Sequence, residues 1–255
     1  MCRMLAVRSA KPTKIEDMLV EAPASLGRLS KDHRHGWGLA VYVDGEPKVA
    51  RGTPAAWQDP IYEEIAATIE GTTLMAHVRK ASVGSVIPEN CHPFQHGRWL
   101  FAHNGTIRDF DAVQPRLEAL IAPEYRSLVR GTTDSERCFA LFLTHLSRLG
   151  ALERPPLSVV ACAVAMVIDD VRRVCPAPDH ILNFLVTDGE LLVGVHFGDR
   201  ELCFNAAAGE RVVIASQPPA EGDIWYEIAD GEVVGVAPDL AITRWRLQGP
   251  GLVSP

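Results

Sequence analysis

The chain begins Met1-Cys2-Arg3-Met4-Leu5-Ala6-Val7, a cysteine followed by a run apolar enough for a buried strand. Cys2 is small enough for Met1 to be removed, and removal would leave a thiol and a free α-amine on the same carbon. An α-amine titrates at about pH 8, so part of it is unprotonated at neutral pH and can take the thiol proton. One residue would then supply both nucleophile and general base. Taken alone, the segment favours a simpler interpretation, a small apolar residue at the start of a strand.

The composition argues against several classes of function. A net charge of −7 argues against a nucleic-acid or membrane-surface partner, because either would need a basic patch. The first residues do not form a basic-then-apolar leader, and no uncharged apolar run reaches membrane length, so we expect neither a signal peptide nor a membrane-spanning helix. The six cysteines are scattered without a Cys-x-x-Cys pair, which is typical of reduced thiols in the cytoplasm.

The order of predicted elements is strands, then helices, then strands, which indicates an α+β fold with mostly antiparallel sheets. We treat residues 1–255 as one domain, because the apolar helix after Pro155-Pro156 needs the sheet of the first half to cover it. Hairpin turns are predicted at Asp44-Gly45, Asp188-Gly189 and Asp230-Gly231. The predicted strands are 2–8, 37–43, 48–51, 72–79, 99–103, 181–187, 191–197, 202–205, 211–215, 224–228, 233–236 and 242–247, and the predicted helices are 59–70, 111–121, one opened by a capping box at 133–136, and 157–174.

Two polar stretches end predicted strands. Arg79 closes the first, and its planar guanidinium can hold a carboxylate through two parallel hydrogen bonds, although a surface arginine with a solvated head is the commoner case. Asn104-Gly105 closes the second. An amide side chain next to a glycine N–H can stabilise the oxyanion of an acyl transfer, although an Asn-Gly pair is also an ordinary turn.

Two further polar stretches are also expected where strands end. Asp134 stands in the first turn of a predicted helix, where it can favour the helix dipole or receive a substrate ammonium. Cys91-His92 invites a metal or Cys–His interpretation, but the ligand spacing of a metal site is missing and His33-x-His35 is an isolated pair. We therefore expect no metal, and His92-Pro93 is better explained as a rigid turn that shapes a pocket wall.

Together these stretches resemble the class II glutamine amidotransferases, and among them the stand-alone branch that includes the γ-glutamyl hydrolase of ergothioneine synthesis. The resemblance implies an N-terminal-nucleophile hydrolase fold, a four-layer αββα sandwich of two antiparallel sheets flanked by helices. The motifs cover roughly residues 2–140 and stand in the family's order: Met1-Cys2-Arg3, His35-Gly36-Trp37-Gly38, His77-Val78-Arg79-Lys80-Ala81-Ser82, Asn90-Cys91-His92-Pro93-Phe94, Trp99-Leu100-Phe101-Ala102-His103-Asn104-Gly105 and Thr133-Asp134-Ser135-Glu136.

The resemblance also implies residue roles. Cys2 would attack the side-chain carbonyl of glutamine or of a γ-glutamyl amide, with its own amine shuttling the proton through a water. Asn104 and the Gly105 N–H would hold the oxyanion. Arg79 would pair with the substrate α-carboxylate and Asp134 with its α-ammonium, as a zwitterionic head requires. Four further residues would line the substrate pocket, His77, Ser82, Trp37 and His35.

The implied reaction needs no cofactor. Its substrate is a small molecule, and hydrolysis of the Cys2 thioester releases glutamate with ammonia or an amine. A separate synthetase chain accepts the ammonia, or the protein is a hydrolase in its own right. The leaving group would be recognised by loops, for which residues 8–14, 83–89 and 179–183 are candidates.

Two alternatives remain open at this stage. One is a catalytically retired subunit that binds glutamine or a γ-glutamyl group for a partner synthetase, which would need Arg79 and Asp134 but no thiol. The other is a cysteine hydrolase that uses Cys91 with a distant histidine.

Overall fold

A computed structural model of the chain describes residues 2–207, 209–249 and 251–254. The strands of the described chain pair antiparallel at every junction. In chain order they are β1 (Arg3–Lys14), β2 (Trp37–Val43), β3 (Glu46–Gly52), β4 (Glu70–Val78), β5 (Phe94–His96), β6 (Trp99–Thr106), β7 (Ile181–Thr187), β8 (Leu192–His196), β9 (Cys203–Ala207), β10 (Arg211–Ala215), β11 (Tyr226–Glu227), β12 (Glu232–Val236), β13 (Ile242–Gln248) and β14 (Gly251–Val253).

The strands of the described residues form two sheets of seven strands each. Sheet A has the order β11-β9-β10-β1-β4-β2-β3, and sheet B has the order β14-β13-β12-β8-β7-β6-β5. The helices are α1 (Leu26–Leu29), α2 (Pro60–Thr68), α3 (Phe110–Leu120), α4 (Pro123–Arg126), α5 (Asp134–Arg148) and α6 (Leu157–Val174), with a π-helical turn at Asp17–Glu21 and 3₁₀ turns at Ala56–Gln58 and Pro88–Asn90.

Side-chain alternation along the strands builds three apolar layers. Met4, Ala6 and Met75 of sheet A face Leu100 and Leu185 of sheet B, and this contact is the inner core. The opposite face of sheet A packs against α2 and the segment around α1. The outer face of sheet B packs against α3, α5 and α6. The expected α+β fold, with two antiparallel sheets flanked by helices, is confirmed.

Several local predictions are confirmed. Asp44 and Gly45 connect β2 to β3 with φ angles of 52° and 81°, the positive values that a type I′ hairpin turn requires. Asp188 and Gly189 connect β7 to β8, which pair along Phe184 to Thr187. The helix predicted at 157–174 has these bounds. No helix in the described ranges is both long and apolar enough to cross a lipid bilayer.

Three local predictions are wrong. Asn104-Gly105 does not stop β6, because the strand stays paired with β7 through Asn183, Leu182 and Ile181. Asp230-Gly231 is a turn but not a hairpin, since it joins β11 of sheet A to β12 of sheet B. The capping box is absent as well. The Glu136 carboxylate accepts from the Arg130 and Gly131 N–H groups, and the Thr133 hydroxyl has no partner among the described residues.

Candidate active site

The predicted site residues converge at one end of the two sheets. Arg3 of β1 pairs with Val78 of β4, so Cys2 and Arg79 are the next residues in register, at the ends of two interior strands of sheet A. Cys2 is half-buried, and the Lys80 backbone N–H donates to its Sγ at 3.3 Å. The sulfur also lies 3.6 Å from the Lys80 carbonyl oxygen. The backbone that follows Arg79 therefore positions the thiol.

The groups around Cys2 shift the pKa of its thiol in opposite directions. Burial raises the pKa of the Cys2 thiol, while the Lys80 N–H and the Arg79 guanidinium lower it and the Asp134 carboxylate raises it. Burial is the largest of these effects, so the protein surroundings alone do not ionise the thiol. A Cys2 nucleophile would therefore need a base beside the sulfur. The predicted base is the α-amine freed by loss of Met1, and Met1 lies outside the described residues.

Ser216 connects Asn104 to the strand that carries Cys2. The Asn104 Nδ2 donates to Ser216 Oγ at 3.1 Å, and the same oxygen accepts from the Met4 backbone N–H at 3.1 Å. The Ser216 N–H donates in turn to the Met4 carbonyl at 3.0 Å. Asn104 is buried and its Oδ1 has no partner in the described structure. A single hydroxyl thus holds the Asn104 amide at Met4, two residues from Cys2.

Gly105 follows Asn104 where sheet B leaves no room for a side chain. A Cβ at this position would stand 1.8 Å from the Ile181 carbonyl oxygen and 2.4 Å from His103 Nε2. The glycine is therefore required by the close approach of β7 to β6.

Asp134 reaches the site from the first turn of α5. Its Oδ2 accepts from the Ile107 N–H at 2.8 Å, and its Oδ1 accepts from Ser135 Oγ at 3.2 Å. His103 lies behind the pair, with Nδ1 2.9 Å from Ser135 Oγ and with Nε2 donating to the Ile181 carbonyl at 3.0 Å. Asp134 is buried, and these contacts fix its carboxylate at the end of β6.

Arg79 is buried, and its guanidinium is turned to the loop that follows it. Nη1 donates to the Ser85 carbonyl at 2.9 Å and Nη2 to the Val83 carbonyl at 2.8 Å. The guanidinium is therefore close to Cys2 but engaged with neutral acceptors of its own chain.

His77 is enclosed between the sheets beside Arg79. Its ring contacts that of His92 in a tilted arrangement with centroids 4.3 Å apart, and neither imidazole has a hydrogen-bond partner in the described structure. Burial, and then the Arg79 charge, lower the pKa of His77 to about 3. Burial likewise lowers the pKa of His92 well below its usual range. Both rings are neutral at pH 7 and form an uncharged floor under the site.

His35 and Ser82, two other residues predicted to line the pocket, occupy different positions. His35 is half-buried, and its Nδ1 accepts from the Ala81 N–H at 2.9 Å, so the ring anchors the start of the loop after Arg79. Ser82 is exposed and lines a groove of about 970 Å³ together with Gly84, Thr106 and Ile107, the residue whose N–H binds Asp134.

The structure does not bring Trp37 to the site. Its ring packs edge-on against Tyr62 at 5.2 Å, and its Nε1–H donates to Asp59 at 2.8 Å on the helix-covered face of sheet A. The strand period of two explains this, because Gly38 takes the inner position. A Cβ on Gly38 would stand 1.9 Å from the His92 carbonyl oxygen, so this glycine lets His92 approach.

Cys91 does not have the setting of a nucleophile. Its sulfur is buried against the Gly52 and Ile87 carbonyls at 3.6 Å each, and burial raises the pKa of the thiol. The His92 ring has no hydrogen-bond partner in the described structure, so it does not activate the neighbouring thiol. Within the described residues, His, Cys, Asp and Glu side chains do not gather in the groups of three that could hold a metal ion.

Sequence reasoning missed Ser216 and Gln217. Both follow β10, more than 200 residues after Cys2, and no motif marks them. The only local signal is a polar pair at the end of a buried strand, before Pro218-Pro219. Gln217 Oε1 accepts from Arg3 Nε at 2.7 Å, while Arg3 Nη1 donates to the Cys2 carbonyl at 2.9 Å.

The family follows from comparison with known sequences. The chain matches the family described as glutamine amidotransferases class-II over residues 1–207. The protein therefore belongs to the class II glutamine amidotransferases, which is an enzyme family.

Individual relatives agree with this assignment. A protein of Saccharomyces cerevisiae named "Probable glutamine amidotransferase DUG3" is 31% identical over 226 residues, which are 76% of this chain and 62% of that protein. The gamma-glutamyl-hercynylcysteine sulfoxide hydrolase of Mycobacterium tuberculosis is 27% identical over 248 residues, 92% of this chain and 93% of that enzyme. The chain thus spans less than two thirds of the yeast relative and nearly all of the mycobacterial one.

Solved structures share the fold. A glutamine aminotransferase class-II domain protein from Silicibacter pomeroyi superposes with a TM-score of 0.73 at 22% identity, covering 97% of this chain and 99% of that chain. The glutamine phosphoribosylpyrophosphate amidotransferase of B. subtilis gives a TM-score of 0.64 at 18% identity, with 97% of this chain on 49% of that chain.

Proposed function

We propose that this protein hydrolyses glutamine or a γ-glutamyl amide through a thioester on Cys2. The observation that carries the proposal is the convergence of a half-buried thiol, a tethered amide and a fixed carboxylate at one end of the sandwich. The Cys2 Sγ touches the Lys80 N–H, Ser216 joins Asn104 to Met4, and Asp134 is held at the end of β6. Family membership supports the same chemistry.

In the proposed first step, the Cys2 sulfur attacks the γ-carbonyl carbon and the thiol proton passes to the freed α-amine. The Asn104 amide, with the Gly105 N–H, stabilises the oxyanion of the tetrahedral intermediate. The carbon–nitrogen bond then breaks and the departing nitrogen takes the proton. Water adds to the thioester, the carbon–sulfur bond breaks, and glutamate leaves with Cys2 restored.

The glutamyl head is proposed to lie between Arg79 and Asp134. The Asp134 carboxylate would bind the α-ammonium and the Arg79 guanidinium the α-carboxylate, so charge complementarity would fix the orientation of the head. Because a carboxylate is a stronger acceptor than a neutral carbonyl, it would replace some of the bonds from Arg79 to Val83 and Ser85. His77 and His35 act as an uncharged floor and a loop anchor, and Ser82 lies at the entrance.

Two broader points belong to the proposal. We treat residues 1–255 as one domain, which is supported by the insertion of the N-terminal strand β1 between β4 and β10 of sheet A. We place the reaction in the cytoplasm, supported by six cysteines that are all free. An ammonia-accepting synthetase chain remains an outcome of the experiments below.

The test measures glutamate release from glutamine and from a panel of γ-glutamyl amides. Cys2→Ala should abolish release and Cys91→Ala should leave it near the wild-type rate. An electrophilic glutamine analogue should label Cys2, and intact mass should show loss of Met1 on protein from its native host. Equal loss in the two variants would contradict the proposed nucleophile. Retained Met1 with glutamine binding but no turnover would instead support a binding subunit that serves a partner synthetase.

A further inference from the structure

Three short polar contacts run in a line from the Asp134 carboxylate to the backbone of β7. Asp134 Oδ1 lies 3.2 Å from Ser135 Oγ, which lies 2.9 Å from His103 Nδ1. His103 Nε2 lies 3.0 Å from the Ile181 carbonyl oxygen. The three side chains are buried, so the polar atoms depend on one another for hydrogen bonds. Because each contact needs one hydrogen, the whole line needs three.

The side chains of this line supply one hydrogen too few when His103 is neutral. Ser135 contributes one hydroxyl hydrogen and a neutral imidazole contributes one N–H, whereas the carboxylate and the carbonyl contribute none. The Ile181 carbonyl can only accept, so the imidazole hydrogen belongs on Nε2. The Ser135 hydroxyl can then donate to His103 Nδ1 or to Asp134 Oδ1, but not to both. The contact with Asp134 is the longest of the three, and it is the one left without a hydrogen.

The surroundings of His103 favour the neutral ring at pH 7. Burial is the largest effect and lowers the pKa of His103, while the Asp134 charge on α5 and the carbonyl of β7 raise it by less. The other titratable rings near it are His77 of β4 and His92 before β5, which are neutral as well. The side of β7 presents the uncharged Phe184 ring, with its centroid 5.0 Å away. The missing hydrogen is therefore a property of the empty site.

We propose that Ser135 is a second acceptor for the substrate α-ammonium, and that His103 is the positioning residue that holds the Ser135 hydroxyl in the accepting direction. This inference rests on the proposed function, because it concerns the same glutamyl head. With its O–H directed at His103 Nδ1, Ser135 Oγ is free to accept from a cation bound at Asp134 Oδ1. These two oxygens are 3.2 Å apart and a primary ammonium has three N–H donors, so one nitrogen can donate to both. The bound ammonium then supplies the hydrogen that the line lacks.

Protonation of His103 opposes this binding in two ways. The new Nδ1–H donates to Ser135 Oγ, and the Ser135 hydroxyl turns to donate to Asp134 Oδ1, so the site loses its second acceptor. The positive imidazolium also repels the ammonium through the carboxylate. Binding below the pKa of His103 must therefore release one proton from this ring to the solvent. By linkage, the KM for glutamine should rise as the pH falls through that pKa, by at most about tenfold per pH unit.

The first experiment compares two ligands that differ only in the α-ammonium, glutamine and glutaramate, which is glutamine without its α-amino group. Calorimetry on Cys2→Ala protein measures their binding without turnover. Adding Ser135→Ala should weaken glutamine binding about tenfold or more, because a hydrogen bond to a charged group is lost, and should change glutaramate binding less than about twofold. Thr144→Val is the matched control. Thr144 is also a buried hydroxyl on α5, which donates to the Ala140 carbonyl at 2.8 Å, and its loss should alter neither affinity.

The second experiment measures kcat and KM for glutamine from pH 7.5 to pH 5. The wild-type KM should rise toward low pH. In His103→Gln, which has no titrating ring, the rise should be smaller, and in Ser135→Ala the KM should already be high at pH 7.5. A residue with only a structural role would lower stability without changing the pH dependence of KM.

The outcomes separate this inference from the proposed function. If the wild-type protein does not cleave glutamine, yet Ser135→Ala selectively weakens glutamine binding, the hydrolysis fails and the ammonium site stands. If glutamine is cleaved but Ser135→Ala weakens both ligands equally, or neither, the hydrolysis stands and the ammonium site is overturned. A wild-type KM that is constant over this pH range, or that rises as steeply in His103→Gln, would overturn the role of His103.

Discussion

Replacing Ser216 by alanine tests whether a hydroxyl contributed by the last third of the chain organises the proposed oxyanion site. Ser216 Oγ accepts one hydrogen bond from the Met4 N–H and one from Asn104 Nδ2, each at 3.1 Å. Alanine removes both acceptor contacts and changes little else, because the residue is buried and the Ser216 backbone bond to Met4 remains.

The expected magnitude follows from these two bonds. A buried donor left without an acceptor costs about 1–3 kcal/mol, so the two donors freed by Ser216→Ala should lower the free energy of unfolding by about 2–6 kcal/mol. Loss of an oxyanion donor lowers kcat by about 10²–10³, and an amide that is present but no longer tethered should lose part of that. We therefore expect kcat to fall roughly 10–100-fold, with a smaller change in KM.

The control separates stability from positioning. Ser30 is also buried, donates to the Gly27 carbonyl at 2.6 Å and accepts from the Trp57 N–H at 2.8 Å, but it lies in the outer layer next to α1. Ser30→Ala should cost similar stability and leave kcat unchanged. Denaturant titration and steady-state glutamate release measure the two quantities on the same samples.

A double-mutant cycle with Asn104→Ala gives the sharper result. If Ser216 acts through Asn104, the two changes in log kcat should not add, and Ser216→Ala should have little further effect once the Asn104 amide is gone. Additive losses, or a kcat in Ser216→Ala no lower than in Ser30→Ala, would refute the reasoning.

Three further predictions follow from the same geometry. Asp134→Asn should raise the KM for glutamine about 10–100-fold by removing the charge opposite the α-ammonium, whereas the exposed Asp111→Asn should not, as steady-state kinetics will show. Trp37→Phe should lower the free energy of unfolding by about 1–3 kcal/mol, because the buried Asp59 carboxylate loses the hydrogen bond from Trp37 Nε1. The same change should leave kcat/KM unchanged. A loss of activity would instead indicate that Trp37 lines the substrate pocket. His77 has a pKa of about 3 when folded against roughly 6.5 unfolded, so the unfolded chain binds more protons between these values. Stability should therefore fall by about 2 kcal/mol from pH 7 to pH 5 through this residue, and denaturation of His77→Gln at both pH values should show that dependence removed.

Short-range signals predicted much of this protein. The Asp44-Gly45 turn, the helix at 157–174 and the strand-like segments depend on φ preferences and on hydrophobic periods read within a few residues. The proposed roles of Cys2, Arg79, Asn104 and Asp134 came instead from the resemblance of the motif order to the class II glutamine amidotransferases, because each stretch alone favoured an ordinary structural interpretation.

Only the tertiary structure decided which of these residues share one space. Asn104 remains in a strand because β7, about 80 residues later, continues the pairing. Trp37 lies outside the site because side chains alternate along β2, and its ring is on the face of sheet A that the outer helices cover. Ser216 borders the site because β1 pairs with β10 across some 200 residues, a separation over which no sequence motif links the two segments. Local preferences determine the conformation of each segment, whereas long-range packing determines which segments come into contact. The chemistry of the site depends on those contacts.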